Sequence, residues 1–219
     1  MGNFVIAIDG PAGSGKGTIA YEIARHYNYY YIDTGAFYRA ITYLILKNDI
    51  SLTDTDAILA LADNAHFSFK GNHLILDGID ITDQLRSKEV EKIVSQVSCI
   101  KELRLILNRH ILSLAQDKDI VADGRDTTTV IFPNANVKIY LDARFEARIK
   151  RRYDQNKAKD IYSSYDEIRE NIEMRDRRDQ MKTFGALTLA PDAHYIDTTN
   201  LSIEDIINKI INIIEGEVK

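Results

Sequence analysis

Gly10-Pro11-Ala12-Gly13-Ser14-Gly15-Lys16-Gly17-Thr18 is the segment from which the architecture can be read. An apolar run, Phe4-Val5-Ile6-Ala7-Ile8, leads into it and stops at Asp9. Helical spacing comes next over 16–27, with Ile19, Ile23 and Ala24 on one side. A buried strand, a glycine-rich turn and a helix, in that order, open a βαβ unit. Glycines let the backbone fold into a nest whose N–H groups converge on phosphate oxygens, and no Cβ blocks the approach. A helix that starts there adds the partial positive charge of its N-terminus. Lys16 then reaches the β/γ-phosphates as a point charge. An ordinary glycine-rich turn would require neither the lysine nor the flanking strand and helix. The loop departs from the general phosphate-loop pattern once: Gly17 stands where Ser or Thr follows the lysine, and Thr18 comes one residue later.

Beyond the loop, Tyr29–Ile32 reads as a second strand, closed by Asp33-Thr34-Gly35, and Phe37 to Leu46 as a helix. The alternation breaks over 65–82. His66-Phe67-Ser68-Phe69-Lys70-Gly71, Leu74-Ile75-Leu76-Asp77-Gly78 and Ile79-Asp80-Ile81-Thr82 read as short strands of a small antiparallel insert. Two helices are expected over about 88–98 and 101–116. The βαβ theme resumes at Ile120-Val121-Ala122-Asp123 and continues at Val137–Asp142, followed by an Arg- and Lys-rich helix from near Ala143. Residues 154–165 are polar, contain Asn156-Lys157-Ala158-Lys159, and read as a mobile segment. Glu167 to Lys182 reads as a charged helix and His194–Asp197 as the last strand. The last helix is expected over 203–215 with Ser202 as N-cap, and Ile206, Ile207, Ile210, Ile211 and Ile214 form its core-facing stripe. The expected fold class is α/β: a parallel β-sheet flanked by helices, with a small antiparallel β insert and a short mobile lid.

Composition is that of a globular protein, with 219 residues, 45% hydrophobic, 28% charged and only three prolines, which speaks against disorder. The net charge of −5 argues against a dedicated nucleic-acid binder. The charge is uneven: residues 144–182 hold 12 Lys and Arg against 9 Asp and Glu, while the rest holds 16 against 24. A local basic region in an acidic chain suits a small polyanion. Cys99, the only cysteine, excludes an internal disulfide and reads as a small buried side chain. The apolar start is too short to span a membrane, and the cytoplasm is the expected compartment.

Four further segments carry chemistry. Asp33-Thr34-Gly35-Ala36-Phe37-Tyr38-Arg39 lies at a strand end, where ligands of open α/β sheets gather, and the Arg39 guanidinium matches a phosphate bidentately. Asp123-Gly124-Arg125-Asp126 ends another strand. Asp123 stands where a phosphate-loop enzyme holds its metal shell, usually through water, Arg125 faces the same crevice as Arg39, and Asp126 can accept from an amino group. Ser95-Gln96-Val97-Ser98, then Arg104, would pass for surface residues on composition alone. Arg175-Asp176-Arg177-Arg178-Asp179-Gln180-Met181-Lys182 would pass for a solvated, salt-bridged helix. A GTPase switch would need Asn-Lys-x-Asp at the end of an apolar strand. Asn156-Lys157-Ala158-Lys159-Asp160 has one residue too many and lies in a polar stretch. Another small-molecule kinase, or a nucleotide-binding module without catalysis, would share the phosphate loop but need not share these four segments.

Taken together, these motifs resemble the bacterial cytidylate kinases, a family of P-loop nucleoside monophosphate kinases. Gly-Lys-Gly-Thr at 15–18 resembles that wider group, which includes the adenylate kinases, and Asp33-Thr34-Gly35 through Tyr38-Arg39 resembles a hallmark of the family itself. The resemblance runs from about residue 4 to residue 215 and includes Phe132-Pro133 and Asp197-Thr198-Thr199. It implies transfer of a phosphoryl group from ATP, with Mg²⁺, to CMP and dCMP. The loop Gly10 to Thr18 would hold ATP, and Mg²⁺ would be met through water by Thr18 and Asp123. Ser95 and Arg104 would help read cytosine, with Asp126 accepting from its amino group. Arg175 would serve phosphate and sugar, and Asp179 the ribose. The family ends that last pattern in Arg, whereas Lys182 stands here and keeps the charge without the planar fork. Thr34, Arg39 and Arg125 complete the expected acceptor site. Arg148, Arg151 and Arg152 precede the polar stretch, and one or more of them, Arg148 and Arg152 foremost, would close over the γ-phosphoryl group. The chain would be one kinase unit: a core of roughly 1–34, 118–150 and 183–219, a CMP-binding region of 35–117 and a lid of 151–166. The preference for CMP over UMP comes from the family pattern, as does the expectation of a monomer that binds neither nucleic acid nor membrane.

Overall fold

The computed structural model describes residues 3–71, 73–158 and 160–217. Its frame is a five-stranded, all-parallel sheet of β1 (Val5–Asp9), β2 (Tyr30–Asp33), β6 (Ile120–Gly124), β7 (Val137–Asp142) and β8 (His194–Asp197). The order across the sheet is β2-β6-β1-β7-β8. The central strands are apolar throughout because a parallel sheet is covered on both faces. One face carries α2 (Thr34–Lys47), α3 (Thr55–Asn64) and α5 (Lys101–Ala115), where Phe37, Ile41, Ile58, Leu107 and Ile111 pack against Ile32 and Ala122. The other carries α1 (Lys16–Tyr27) and α8 (Ile203–Glu217), where Ile19, Ile23, Ile206, Ile210 and Ile214 pack against Ile6, Ile8, Val121 and Ile139. Ile207 and Ile211 are half-buried beside them, and Ser202 caps α8 by accepting from Asp205 N at 3.1 Å.

The insert is an antiparallel sheet of β3 (Phe67–Lys70), β4 (His73–Leu76) and β5 (Ile79–Asp80), anchored where Phe67 and Phe69 meet Phe37. α4 (Lys88–Val97) follows it. The basic region forms two helices, α6 (Phe145–Ala158) and α7 (Tyr165–Met181). A further feature sets up the site: each parallel strand carries an aspartate at its carboxyl end. Asp9, Asp33, Asp142 and Asp197 are last residues, and Asp123 precedes Gly124.

Several boundaries differ from expectation. α2 begins at Thr34, three residues before Phe37, because Asp33 caps it and accepts from Ala36 N at 3.1 Å. α3 was not expected, although Ile58, Leu61, Ala62 and Ala65 recur at helical spacing; its cap is Asp54, accepting from Ala57 N, and its buried positions are Ile58 and Ala62. The polar stretch expected from 154 is helical through Ala158. α7 then starts at Tyr165 on a capping box between Ser164 and Glu167, which shortens the connection. Lys159 lies outside the described residues. Cys99 is exposed, not buried: α4 stops at Val97, the helical period lapses, and the thiol donates to Ser95 O.

Candidate active site

The phosphate loop links β1 to α1. Gly15, at φ 91°, is the left-handed N-cap that turns the chain into the helix, a conformation an L side chain resists. Gly13 lies so close to α6 that a Cβ would come 3.0 Å from Arg148 Cβ. Two carbonyls of the loop, those of Ala12 and Ser14, are held by arginines of α6. Arg148 Nη1 donates to Ala12 O at 2.9 Å and to Asp176 at 2.5 Å, while Asp176 accepts from Ala12 N at 3.1 Å. Arg151 donates to Ser14 O at 3.3 Å and to Thr198 Oγ1 at 2.9 Å.

A cleft of about 780 Å³ opens in front of the loop, at the carboxyl ends of the strands. Lys16 lies in its wall, buried, with Nζ 3.2 Å from Pro11 O. Burial and the neighbouring Arg125 lower its pKa to about 7. Burial and the nearby Asp33 carboxylate raise Asp123, on the same cleft, to about 6. Tyr31 donates to Asp123 Oδ1 at 2.7 Å. Thr18 is exposed at the mouth, and a Cβ at Gly17 would stand 3.4 Å from the Tyr31 hydroxyl and 3.9 Å from the Asp123 carboxylate, in ordinary contact with both.

Arg39 pairs with Asp33 at 2.5 Å, and its Nε is buried without a partner. Burial alone would raise Asp33, but the Arg39 and Arg86 guanidiniums hold it below the usual carboxylate range. Thr34 is buried and donates to Asp123 O at 2.8 Å. Asp179 receives Arg125 Nε at 2.7 Å and Lys182 Nζ at 2.8 Å. These two cations outweigh burial and depress its pKa strongly. At the far end, Arg104 pairs with Asp126 at 2.5 Å, both buried. Arg104 also donates to Ser98 O at 3.0 Å and lies 5.2 Å from the centre of the Tyr38 ring. Ser95 accepts from Arg178 at 2.6 Å. Arg175 meets Glu91 at 3.0 Å, with Arg152 3.7 Å from the same carboxylate.

Ala12 to Thr18 of the loop, Thr34, Arg39, Ser95, Arg104, Arg125, Asp126, Arg151, Arg152, Arg175, Asp179 and Lys182 thus border one cleft. Gly10, Pro11 and Arg148 do not: Gly10 lies against Leu141 of β7, and the Arg148 guanidinium is engaged behind the loop by Ala12, Ala143 and Asp176. Sequence reasoning missed Glu91, Asp176, Arg178 and Tyr31, which matter only through partners distant in sequence. It also missed Asp9, which accepts from Thr127 N, Thr128 N and Thr128 Oγ1 and so fixes the chain after β6. The signal for Asp9 was its place at a strand end.

The family model described as cytidylate kinase matches residues 6–216. The chain is 46% identical over 211 residues to a cytidylate kinase of Alkaliphilus oremlandii, covering 96% of this chain and 97% of that one. It is 42% identical over 215 residues to a cytidylate kinase of Fusobacterium nucleatum, covering 98% and 99%. A solved structure of an uncharacterized protein from Eubacterium ventriosum superposes with a TM-score of 0.57 at 14% identity, over 98% of this chain and 99% of that one, a likeness of fold alone. A phosphate loop and a buried Arg–Asp pair on one cleft, in a chain matched over nearly its whole length by these relatives, place the protein in the cytidylate kinase family.

Proposed function

We propose that this chain transfers the γ-phosphoryl group of ATP to CMP, giving ADP and CDP, and that it accepts dCMP as well. The observation that carries the reading is the cleft itself, which joins the phosphate loop to the buried Arg104–Asp126 pair. Arg104 Nε is a buried donor without a partner, and Asp126 Oδ2 lies 2.5 Å from Arg104 Nη2. A carboxylate oxygen beside an N–H donor complements the amino group and ring nitrogen of cytosine. Uracil presents a carbonyl where cytosine presents the amino group. A site built to bond one pattern rejects the other because its own buried groups would be left unpaired.

An oxygen of the CMP phosphate attacks the γ-phosphorus, and the bond from that phosphorus to the β–γ bridging oxygen breaks. The attacking oxygen is already ionised at neutral pH, so positioning and charge neutralisation carry the step. Lys16 and the loop amides hold the donor phosphates. Arg39 and Arg125 hold the acceptor phosphate, Arg175 adds charge, and Asp179 takes the ribose. Ser95, Arg104, Asp126 and Lys182 surround the base. Arg152, on the cleft wall, reaches the transferring group when α6 closes, with Arg151 beside it, while Arg148 acts by holding the loop. The oxygen donors Thr18 and Asp123 suit Mg²⁺, which Asp123 can meet with the oxygen that Tyr31 leaves free. Bound there through water, Mg²⁺ would neutralise charge on the β- and γ-phosphates. The enzyme works as a monomer in the cytoplasm. Among the described residues no helix is long and apolar enough to cross a membrane.

The test is ADP formation from ATP and Mg²⁺ with CMP, dCMP, UMP, AMP or GMP as acceptor. Turnover concentrated on CMP and dCMP is expected. Turnover concentrated on UMP or AMP would overturn the base assignment, and none with any acceptor would overturn the reaction.

A further inference from the structure

The segment between α7 and β8 carries no motif, yet Gly185 within it lies directly against the buried Arg104–Asp126 pair. Its φ is +68°, in the left-handed region. A Cβ built there would overlap Asp126 Oδ2 and lie 2.5 Å from Arg104 Nη2 and 2.7 Å from Arg104 Nε. Of these atoms, Arg104 Nε is a buried donor without a partner, and Asp126 Oδ2 is the oxygen that Arg104 Nη2 meets. The charges of the pair meet at 2.5 Å. Neither partner has room to retreat. Arg104 is held by Ser98 O and the Tyr38 ring, and each partner is 2% exposed. The segment is fastened too: Leu187 N donates to Asp179 O at 2.8 Å, and Lys101 Nζ stands 6.0 Å from the centre of the Phe184 ring.

We infer that Gly185 is a specificity-determining position for the acceptor base: its bare main chain lets Arg104 and Asp126 stand side by side, and a side chain at 185 drives them apart. Gly185 acts through the pair and is a positioning residue. The inference rests on the assignment of Arg104 and Asp126 to the pyrimidine.

The experiment compares Gly185→Ala with Gly78→Ala. Gly78 has a φ of +79° and nothing within 4 Å of its would-be Cβ, so its variant carries left-handed strain without a collision. KM for CMP, KM for ATP and the ratio of kcat/KM for CMP over UMP are measured for each. Gly185→Ala is expected to raise KM for CMP about tenfold or more and to lower the CMP-over-UMP ratio by a similar factor. KM for ATP stays within about twofold, and Gly78→Ala leaves all three within about twofold. A Gly185→Ala enzyme that matches Gly78→Ala overturns the inference. Gly185→Asn is measured alongside because Asn tolerates left-handed backbone while carrying the same Cβ. If neither variant at 185 folds while Gly78→Ala does, the position serves folding and the inference falls. Arg104→Ala separates two failures. An unchanged KM for CMP in that variant removes the base assignment itself, whereas a raised one beside a silent Gly185→Ala removes only the role of Gly185.

Discussion

Lys16 is buried where its charge is disfavoured until a phosphate arrives, and that has a measurable consequence. Its pKa in the free protein is lowered to about 7, by burial first and Arg125 second. A bound triphosphate favours the charged amine and raises that pKa again. Between the two values the free protein has lost the proton that the complex holds, so binding takes a proton up. At pH 8, calorimetry of ATP binding in buffers of different ionisation enthalpy should report uptake of about one proton, absent in Lys16→Met. Uptake of none in the unaltered protein would contradict the buried-amine account. Lys16, Arg39, Arg125 and Asp126 were legible in the sequence because strand ends and the glycine loop fix where they stand. Asp176, Glu91 and Gly185 were not. Asp176 acts through Ala12, 164 residues away, and no local pattern encodes such a pairing.

Among the elements, α6 and α7 brace the loop from behind, and α4 packs against α7 beside the cleft. Asp176→Ala would leave Arg148 buried without its carboxylate. The expected loss is about 3–5 kcal/mol by urea denaturation, together with weaker ATP binding. Full stability in that variant would show that the brace is incidental. Glu91 occupies Arg175 and Arg152 before any substrate does. Glu91→Gln should free them and lower KM for CMP about 2–5-fold, and a raised KM would mean that the carboxylate organises the arginines instead. Most elements were legible from apolar period, including the antiparallel insert and the β7 boundaries. The misses came from end chemistry and short length. The Asp33 cap moved α2, the Ser164–Glu167 box started α7 early, and α3 buries only Ile58 and Ala62.

For the molecule as a whole, α8 closes one face of the sheet through residues such as Ile210, which is fully buried. Ile210→Ala should cost about 2–5 kcal/mol in chemical denaturation while leaving KM for both nucleotides unchanged. Altered KM values would show that the site is coupled to that core. Binding both nucleotides, or a bisubstrate analogue, should draw α6 and α7 toward α4 and shrink the radius of gyration in small-angle scattering. An unchanged profile would remove closure from the mechanism. The parallel sheet was legible, but its strand order was not, because order depends on which crossovers pack rather than on any one strand. The aspartates at the carboxyl ends of all five strands also bear on which length changes the chain tolerates. Asp33 lies in register with Asp123, and Asp142 with Asp197. Deleting one residue within a strand would withdraw its carboxylate by about 3.3 Å and turn the remaining side chains to the opposite face. Insertions and deletions should therefore survive in the connections that enter the strands and be lethal within or just after them, a polarity that a library of single-codon deletions would map directly.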